Sequence, residues 1–260
     1  MSWTIERTGH VALVRMTSSP VNKQNPGFFR DLQETFDRLD RDLPGHPVVL
    51  TGTGSIFSVG LDFDYTFDLF QRQDPEATWE WFQEFRDALL RVFFAPRPTV
   101  AAINGHAFAG GLLLALACDV RVAQSGPYRC GLNEVPVGIP MPSAYTELTI
   151  HRVGARVASE AILTGAMYDM DDALRLGFYD EIVAPDALLQ AALERAASTA
   201  PDCLPAYAHS KNMLLAVVRE RIGTLSVRLD RASAPLICSE PLISVQQRAL
   251  AALKARKKSG

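Results

Sequence analysis

Apolar residues follow two rhythms along this chain. Short, nearly continuous apolar runs at His10–Met16, Pro47–Thr51, Thr99–Ile103 and Val120–Ala123 predict buried strands, too short for helices and bounded by turn residues. Between them the apolar positions recur at helical spacing. Phe29, Leu32, Phe36 and Leu39 mark one face of a helix predicted over Pro26–Asp42, with Pro26 in its first turn and Pro44 beyond its end. Asp74-Pro75 opens a second helix, apolar at Trp81, Phe85, Ala88, Leu89 and Val92 and closed by Ala95-Pro96. A third, Ala109–Cys118, is almost wholly apolar and so predicts burial on all sides. From about Pro142 onward the pattern turns helical, with segments predicted at 142–152, 155–163, 171–176, 185–200 and 204–221 and one short strand at Glu181–Val183. Strands alternating with helices make this an α/β chain with a mostly helical C-terminal part.

Composition narrows the function classes. At 260 residues and 48% hydrophobic, the chain can build a substantial core. Its 26 Lys and Arg against 29 Asp and Glu leave a net charge of −3, which argues against a nucleic-acid surface. A local basic patch for a phosphorylated small molecule stays open. Cys118, Cys130, Cys203 and Cys238 are widely spaced, without a CxxC pair or a histidine at ligand spacing. They read as buried small apolar residues in a reducing compartment, with neither zinc nor disulfides expected. Met1–Val11 carries Trp3, Glu6, Arg7 and His10 instead of an apolar signal segment. Leu112–Cys118 is far shorter than the roughly 20 residues a membrane helix needs. A cytoplasmic protein without membrane contact is the expectation.

The stretch AAINGHAFAGGLLLALACD, residues 101–119, carries the first chemistry. A helix begins with N–H groups that lack partners within it and carry partial positive charge. Gly110 and Gly111 have no Cβ, so a ligand can approach that backbone closely. A main-chain oxyanion site fits this pattern; so does a strand–Gly-Gly–helix packing turn. It is neither a GxGxxG fingerprint nor a GxSxG elbow.

Two further segments add weight: FSVGLD at 57–62 and GLNEVPVGIP at 131–140. With AAINGHAFAGG and its trailing Cys118-Asp119, they resemble the crotonase superfamily, the enoyl-CoA hydratase/isomerase family, in order and approximate spacing from the first strand to about Val183. The resemblance implies a ββα spiral core over 1–195, a C-terminal helical trimerisation region over 196–260, and a homotrimer or hexamer. It implies acyl-CoA chemistry of the kind found in fatty-acid metabolism, with coenzyme A carried by the substrate and no separate cofactor or metal. Carried over residue by residue, the Leu61 and Gly110 amides are the oxyanion donors for a thioester carbonyl. Val59, Gly60, Asp62 and Phe63 meet the adenine and pantetheine, and Gly111 and Leu113 are further substrate-binding residues. Lys23, Arg30 and Lys211 are candidates for the CoA phosphates, although each reads first as a solvated surface charge.

The resemblance also orders the candidate acids. Hydratases of the family look like enzymes with two glutamates, one at the position of Leu113 here and one at Glu134. Leucine moves no proton, whereas water addition shares proton transfers between two carboxylates. A double-bond shift needs only one mobile carboxyl. GLNE resembles the segment of mitochondrial-type enoyl-CoA isomerases, in which that glutamate is the base. Glu134 lies among Leu132, Val135, Pro136, Val137 and Ile139, so burial is expected to raise its pKa. Asp62, Asp64 and Asp68 are alternative acids. The aromatic run 63–70 is expected to wall the acyl chain or to pack as an ordinary helix face. His106 and Asn104 read as packing and turn-tying residues. The basic run at 254–258 reads as a solvated helix end. Three functions follow: an isomerase using Glu134 alone; another crotonase chemistry such as hydration, thioester hydrolysis or C–C cleavage; and an acyl-CoA binder without turnover.

Overall fold

A computed structural model describes residues 3–259, apart from the side chains at 226, 227 and 256–259. The side chains of Arg256, Lys257 and Lys258, part of the basic run at 254–258, lie outside the described residues. In chain order the elements are β1 (Trp3–Thr8), β2 (Val11–Met16), α1 (Pro26–Asp42), β3 (Val48–Thr51), β4 (Ile56–Ser58), α2 (Phe63–Phe70), α3 (Pro75–Phe93), β5 (Thr99–Ile103), β6 (His106–Phe108) and α4 (Gly110–Ala117). There follow β7 (Val120–Gln124), β8 (Cys130–Gly131), a 3-10 turn (Val135–Val137), α5 (Ser143–Thr164), β9 (Met167–Tyr168), α6 (Met170–Arg175), β10 (Glu181–Val183) and α7 (Leu188–Ala196). A second 3-10 turn (Pro201–Cys203) leads to α8 (Leu204–Leu214), α9 (Ala216–Ile237) and α10 (Glu240–Ser259).

The strands form a six-stranded sheet, β1-β2-β3-β5-β7-β10, and a four-stranded sheet, β4-β6-β8-β9. Successive turns of the chain deposit one strand in each: β3 then β4, β5 then β6, β7 then β8. This is the expected ββα spiral. The central strands β2, β3 and β5 of the large sheet are covered on both faces, which is why they are almost wholly apolar. Ala12, Val14, Val48, Leu50 and Ala101 pack with α1, α3 and α4, while Val11, Leu13, Val49, Val100 and Val122 pack against Leu188, Ala192 and Ala196 of α7. Every residue of α4 is buried, as the wholly apolar run predicts.

The helix signals act as read. Asn25 caps α1, accepting from Phe28 N, and Asp74 caps α3, accepting from Glu76 N and Ala77 N; a proline occupies the first turn of each. The helices expected at 142–152 and 155–163 are one element, α5, kinked at Gly154, where φ is 77°. The helix expected at 204–221 stops at Leu214, and its second half belongs to α9, which runs on through Pro235. That proline lies only two residues from the end of α9 and so removes little of the ladder. The edge strand β1 and the short strands β4, β6, β8 and β9 were not predicted, and α10 was expected only as part of the helical region at 196–260.

Three cysteines are buried as expected, but Cys203 is exposed, because it closes the surface turn between α7 and α8. The C-terminal helices pack on the core of their own chain: α9 against α5 and α3, α10 against α2 and the 3-10 turn after Glu134. Asp119 ties α8 to the large sheet. Its Oδ2 accepts from Thr99 N, Thr99 Oγ1, Tyr207 OH and Lys211 Nζ. Among the described residues no helix is long and apolar enough to cross a membrane.

Candidate active site

Three neighbouring parallel strands assemble the candidate residues. β4 pairs with β6 (Ser58 opposite Ala107), and β6 pairs with β8 (Phe108 opposite Gly131). Leu61, Gly110 and Glu134 each stand two or three residues beyond the C-terminal end of one of these strands. Parallel alignment brings those ends to one edge, where α/β folds present their ligand crevices. The motifs at 57–62, 105–111 and 131–140, far apart in sequence, thus meet in space.

The two amide loops touch. A Cβ on Gly60 would stand 2.7 Å from Gly110 N and 2.8 Å from Phe108 O, and Gly60 has φ +79°. On the other side of the turn, a Cβ on Gly111 would stand 2.2 Å from Ser58 O. Gly110 opens α4, so its N–H has no partner within the helix. The residue before it, Ala109, has φ +50° and ψ −126°, an uncommon conformation for a residue with a Cβ. Ala109 N donates to Gly131 O at 2.8 Å, pinning this strained corner to the strand that leads to Glu134. Backbone strain of this kind concentrates at functional sites. Leu61 forms an isolated bridge with Gln24 that uses Gly60 O and Asp62 N, so the Leu61 N–H points away from it.

Glu134 is 6% exposed, and its Oε2 has no hydrogen-bond partner among the described residues. Burial pushes its carboxyl up to about 7 from an ordinary 4.5, opposed only by its own main-chain amide. A carboxyl poised there can hold or release a proton around neutral pH, which suits a group that both takes and gives one. Nearby, the Tyr145 hydroxyl is also buried, with no partner among the described residues; its ring packs on Phe85 at 4.6 Å. Burial, with Asp230 next in weight, holds the Tyr145 phenol well above its ordinary range, so it stays protonated.

The other candidates sort clearly. Leu113 is 1% exposed within α4 and contributes only apolar surface. Asp62 pairs with Lys23 at 2.9 Å, and Asp64 pairs with Lys254 at 3.0 Å and Lys23 at 3.5 Å. The Lys254 hydrogen bond, the largest influence, draws the Asp64 pKa below its ordinary value, so it is a poor proton donor near neutrality. Asp68 is exposed and accepts from Gln71. Lys211 is not available to a CoA phosphate. It is 7% exposed and its Nζ is spent on Asp119 Oδ2 (2.7 Å) and Arg97 O (3.2 Å), inside the protein. Arg30 lies exposed on α1, and Lys23 stands beside the Leu61 loop. Val59 and Phe63 are half-buried around Gly60 and Leu61. His106 stacks beside Phe108 and accepts from Arg129 N, and Asn104 accepts from Gly52 N and donates to Gly54 O, the packing and turn-tying roles expected. The run 63–70 is α2; Thr66, Leu69 and Phe70 face inward, with Phe70 against Trp81 and Phe82, so this part is helix-face packing. Among the described residues no group of three His, Cys, Asp or Glu side chains is arranged for a metal ion.

Sequence reasoning missed Gln24 and Ser58. Both are fully buried between the two amide loops, with Gln24 Nε2 donating to Gly110 O at 3.1 Å. Asn22 and Gln24 are buried and alternate with half-exposed Lys23 and Asn25, but all four residues are polar, so the sequence carries no signal of that alternation.

A spiral of paired strands, with two tight glycine turns and a buried carboxyl at one strand edge, defines a crotonase-type protein. The enoyl-CoA hydratase/isomerase family model matches residues 6–230, and the chain belongs to that family. It is similar to the mitochondrial enoyl-CoA delta isomerase 1 of Mus musculus, with 33% identity over 178 residues, covering 68% of this chain and 60% of the mouse protein. It is equally similar to a putative enoyl-CoA hydratase of Thermus thermophilus, with 32% identity over 210 residues, 80% of this chain and 82% of that one. Among solved structures it superposes on human mitochondrial delta3-delta2-enoyl-CoA isomerase with a TM-score of 0.89 at 27% identity, covering 99% of this chain and all of that one.

Proposed function

We propose that the protein is an enoyl-CoA isomerase that moves a double bond from the 3 to the 2 position of an acyl-CoA thioester. The Leu61 and Gly110 amides hold the thioester oxygen. Glu134 removes a proton from C2, and the electrons of that C–H bond delocalise through the carbonyl onto the oxygen as a dienolate. Two main-chain donors stabilise the charge that develops there; removal of one such donor in a protease costs about 2.7–4 kcal/mol. Glu134, now protonated, delivers the proton to C4, the C2–C3 bond becomes double, and the carboxylate is regenerated. No cofactor enters beyond the coenzyme A carried by the substrate.

The observation that carries this reading is the count of usable acids. Glu134 is buried with a raised pKa, Leu113 occupies the place of the second glutamate, and Asp62 and Asp64 are held by lysines. Hydration is the second reading, favoured by the hydratase names among relatives of equal identity. Incubation with a 3-enoyl-CoA and, separately, a 2-enoyl-CoA separates the two. Conversion of the first to a conjugated 2-enoyl-CoA, with formation of 3-hydroxyacyl-CoA at least tenfold slower, is expected. Hydration at a rate matching isomerisation would overturn it.

The reading also includes a homotrimer or hexamer built through the C-terminal helical region at 196–260. Leu214, Met213 and Val217 of α8 and α9 are 74%, 54% and 59% exposed, apolar surface that self-association would cover. A mass of three or six chains by light scattering is expected; a monomer at micromolar concentration would contradict it. With Lys211 excluded, Lys23 and Arg30 remain the candidates for the CoA phosphates.

A further inference from the structure

Gln24 reaches both amide loops at once. It lies in the segment between β2 and α1 and is fully buried. Its N–H donates to Gly60 O at 2.9 Å, and its carbonyl accepts from Asp62 N at 2.8 Å. Gly60 C=O and Leu61 N–H belong to one planar trans peptide unit and point in opposite directions. Holding that carbonyl therefore aims the Leu61 N–H away from Gln24. The side chain works on the other loop. Nε2 donates to Gly110 O at 3.1 Å and approaches Ser58 Oγ at 3.4 Å; that hydroxyl accepts from Gly60 N at 3.1 Å and donates to Asn22 O at 2.8 Å. A carbonyl only accepts, so the amide must present its nitrogen to Gly110. The remaining oxygen, Oε1, has no partner among the described residues and lies where a Cβ on Gly110 would approach it to 2.3 Å.

A buried acceptor left unpaired costs stability. An apolar side chain of similar size would fill the same space without that cost. The glutamine thus does something that packing does not require. We propose that Gln24 is a positioning residue: its backbone aims the Leu61 amide, and its side chain, by holding the Gly110 carbonyl in the peptide unit that follows the Gly110 N–H, fixes the spacing between the Leu61 and Gly110 loops. The inference rests on those two amides being the carbonyl site described above. Gln24 touches no reacting atom. It acts by keeping the Leu61 and Gly110 loops from drifting relative to one another, reaching the second across 86 residues of sequence.

The test compares the parent with Gln24→Leu, which keeps the main-chain bridge and removes the side-chain bond. The probe is a 2,4-dienoyl-CoA, whose absorption shifts to longer wavelength when its carbonyl is polarised in the site. The parent is expected to bind the probe with a red shift. Gln24→Leu is expected to bind it within threefold of the parent affinity, to lose most of the shift, and to show kcat lowered by up to about a hundredfold with KM little changed, the effect of a misplacement on the order of an ångström. Its melting temperature is expected to equal or exceed the parent's, which a merely structural role would not allow. Ser58→Ala, which removes only a hydroxyl, covers the case in which Gln24→Leu folds poorly, with a smaller loss of shift and kcat expected. Full red shift and parent kcat in Gln24→Leu, or in Ser58→Ala where Gln24→Leu does not fold, would overturn the inference while leaving the carbonyl site intact. Absence of a red shift in the parent would instead remove the carbonyl-site reading, and the inference with it.

Discussion

Glu134→Gln is expected to lower turnover of a 3-enoyl-CoA by about 10²–10⁴-fold, the range for loss of a general base, while making the protein more stable at pH 8. The two effects share one cause. The buried carboxyl titrates near 7 in the folded protein and at about 4.5 in the ordinary solvated state. Between these values the folded state holds a proton that the unfolded state has released. Stability from this group is therefore greatest below about pH 4.5 and falls as pH rises through 7, where burial of the charge costs about 3 kcal/mol. Glutamine never ionises, so Glu134→Gln regains up to that amount at pH 8 and almost nothing at pH 4. Denaturant unfolding at the two pH values reads the difference directly. In the parent, kcat/KM is expected to fall tenfold per pH unit below about 7, as the base becomes protonated. A variant that is equally stable at both pH values, or a flat pH profile from 5 to 8, would show that Glu134 is not the buried ionising group described.

Gly60→Ala is expected to cost about 10²–10³ in kcat with a smaller change in KM, the scale for loss of one oxyanion donor. The alanine would have to adopt φ +79° and place its Cβ 2.7 Å from the very nitrogen proposed to hold the thioester oxygen. The left-handed backbone alone costs an L-residue roughly 1–2 kcal/mol. The contact adds a second effect, prying apart the loops that carry Leu61 and Gly110. Gly9→Ala separates the two contributions. Gly9 also has positive φ, +61°, but lies in the β1–β2 turn with nothing within 4 Å of an added Cβ. It is expected to lose comparable stability and to keep its turnover. Equal kcat losses in both variants would assign the Gly60 effect to general destabilisation.

The parts of the fold that were legible in the sequence are those in which one local signal suffices. The central strands of the large sheet, buried on both faces, read as unbroken apolar runs. The starts of α1 and α3 read from a capping residue followed by proline. Of the three site motifs only the glycine turn at 105–111 is legible from its own residues; those at 57–62 and 131–140 are legible through their resemblance to the crotonase superfamily. What escaped depends on distant partners. β4, β6, β8 and β9 are two or three residues long and exist only because neighbouring turns of the spiral lie beside them. α10 carries no strong apolar stripe; it rests on α2 and the turn after Glu134, with Gln246 Nε2 donating to Gly138 O. Gln24 looks like any loop glutamine until Gly60 and Gly110 are brought to it. Cys203 looked like its three buried counterparts, and only its place in a surface turn sets it apart.

The account comes down to a single carboxyl carrying a proton between two carbons of a thioester whose oxygen is held by main chain. A 3-enoyl-CoA bearing deuterium at C2 tests this directly, with mass spectrometry or NMR locating the label in the 2-enoyl-CoA product. The result expected is deuterium at C4 in part of the product, carried there by Glu134 before exchange with water, and loss of both label transfer and turnover in Glu134→Gln. Label at C4 with an undiminished rate in Glu134→Gln, or a 3-hydroxyacyl-CoA as the main product, would contradict it.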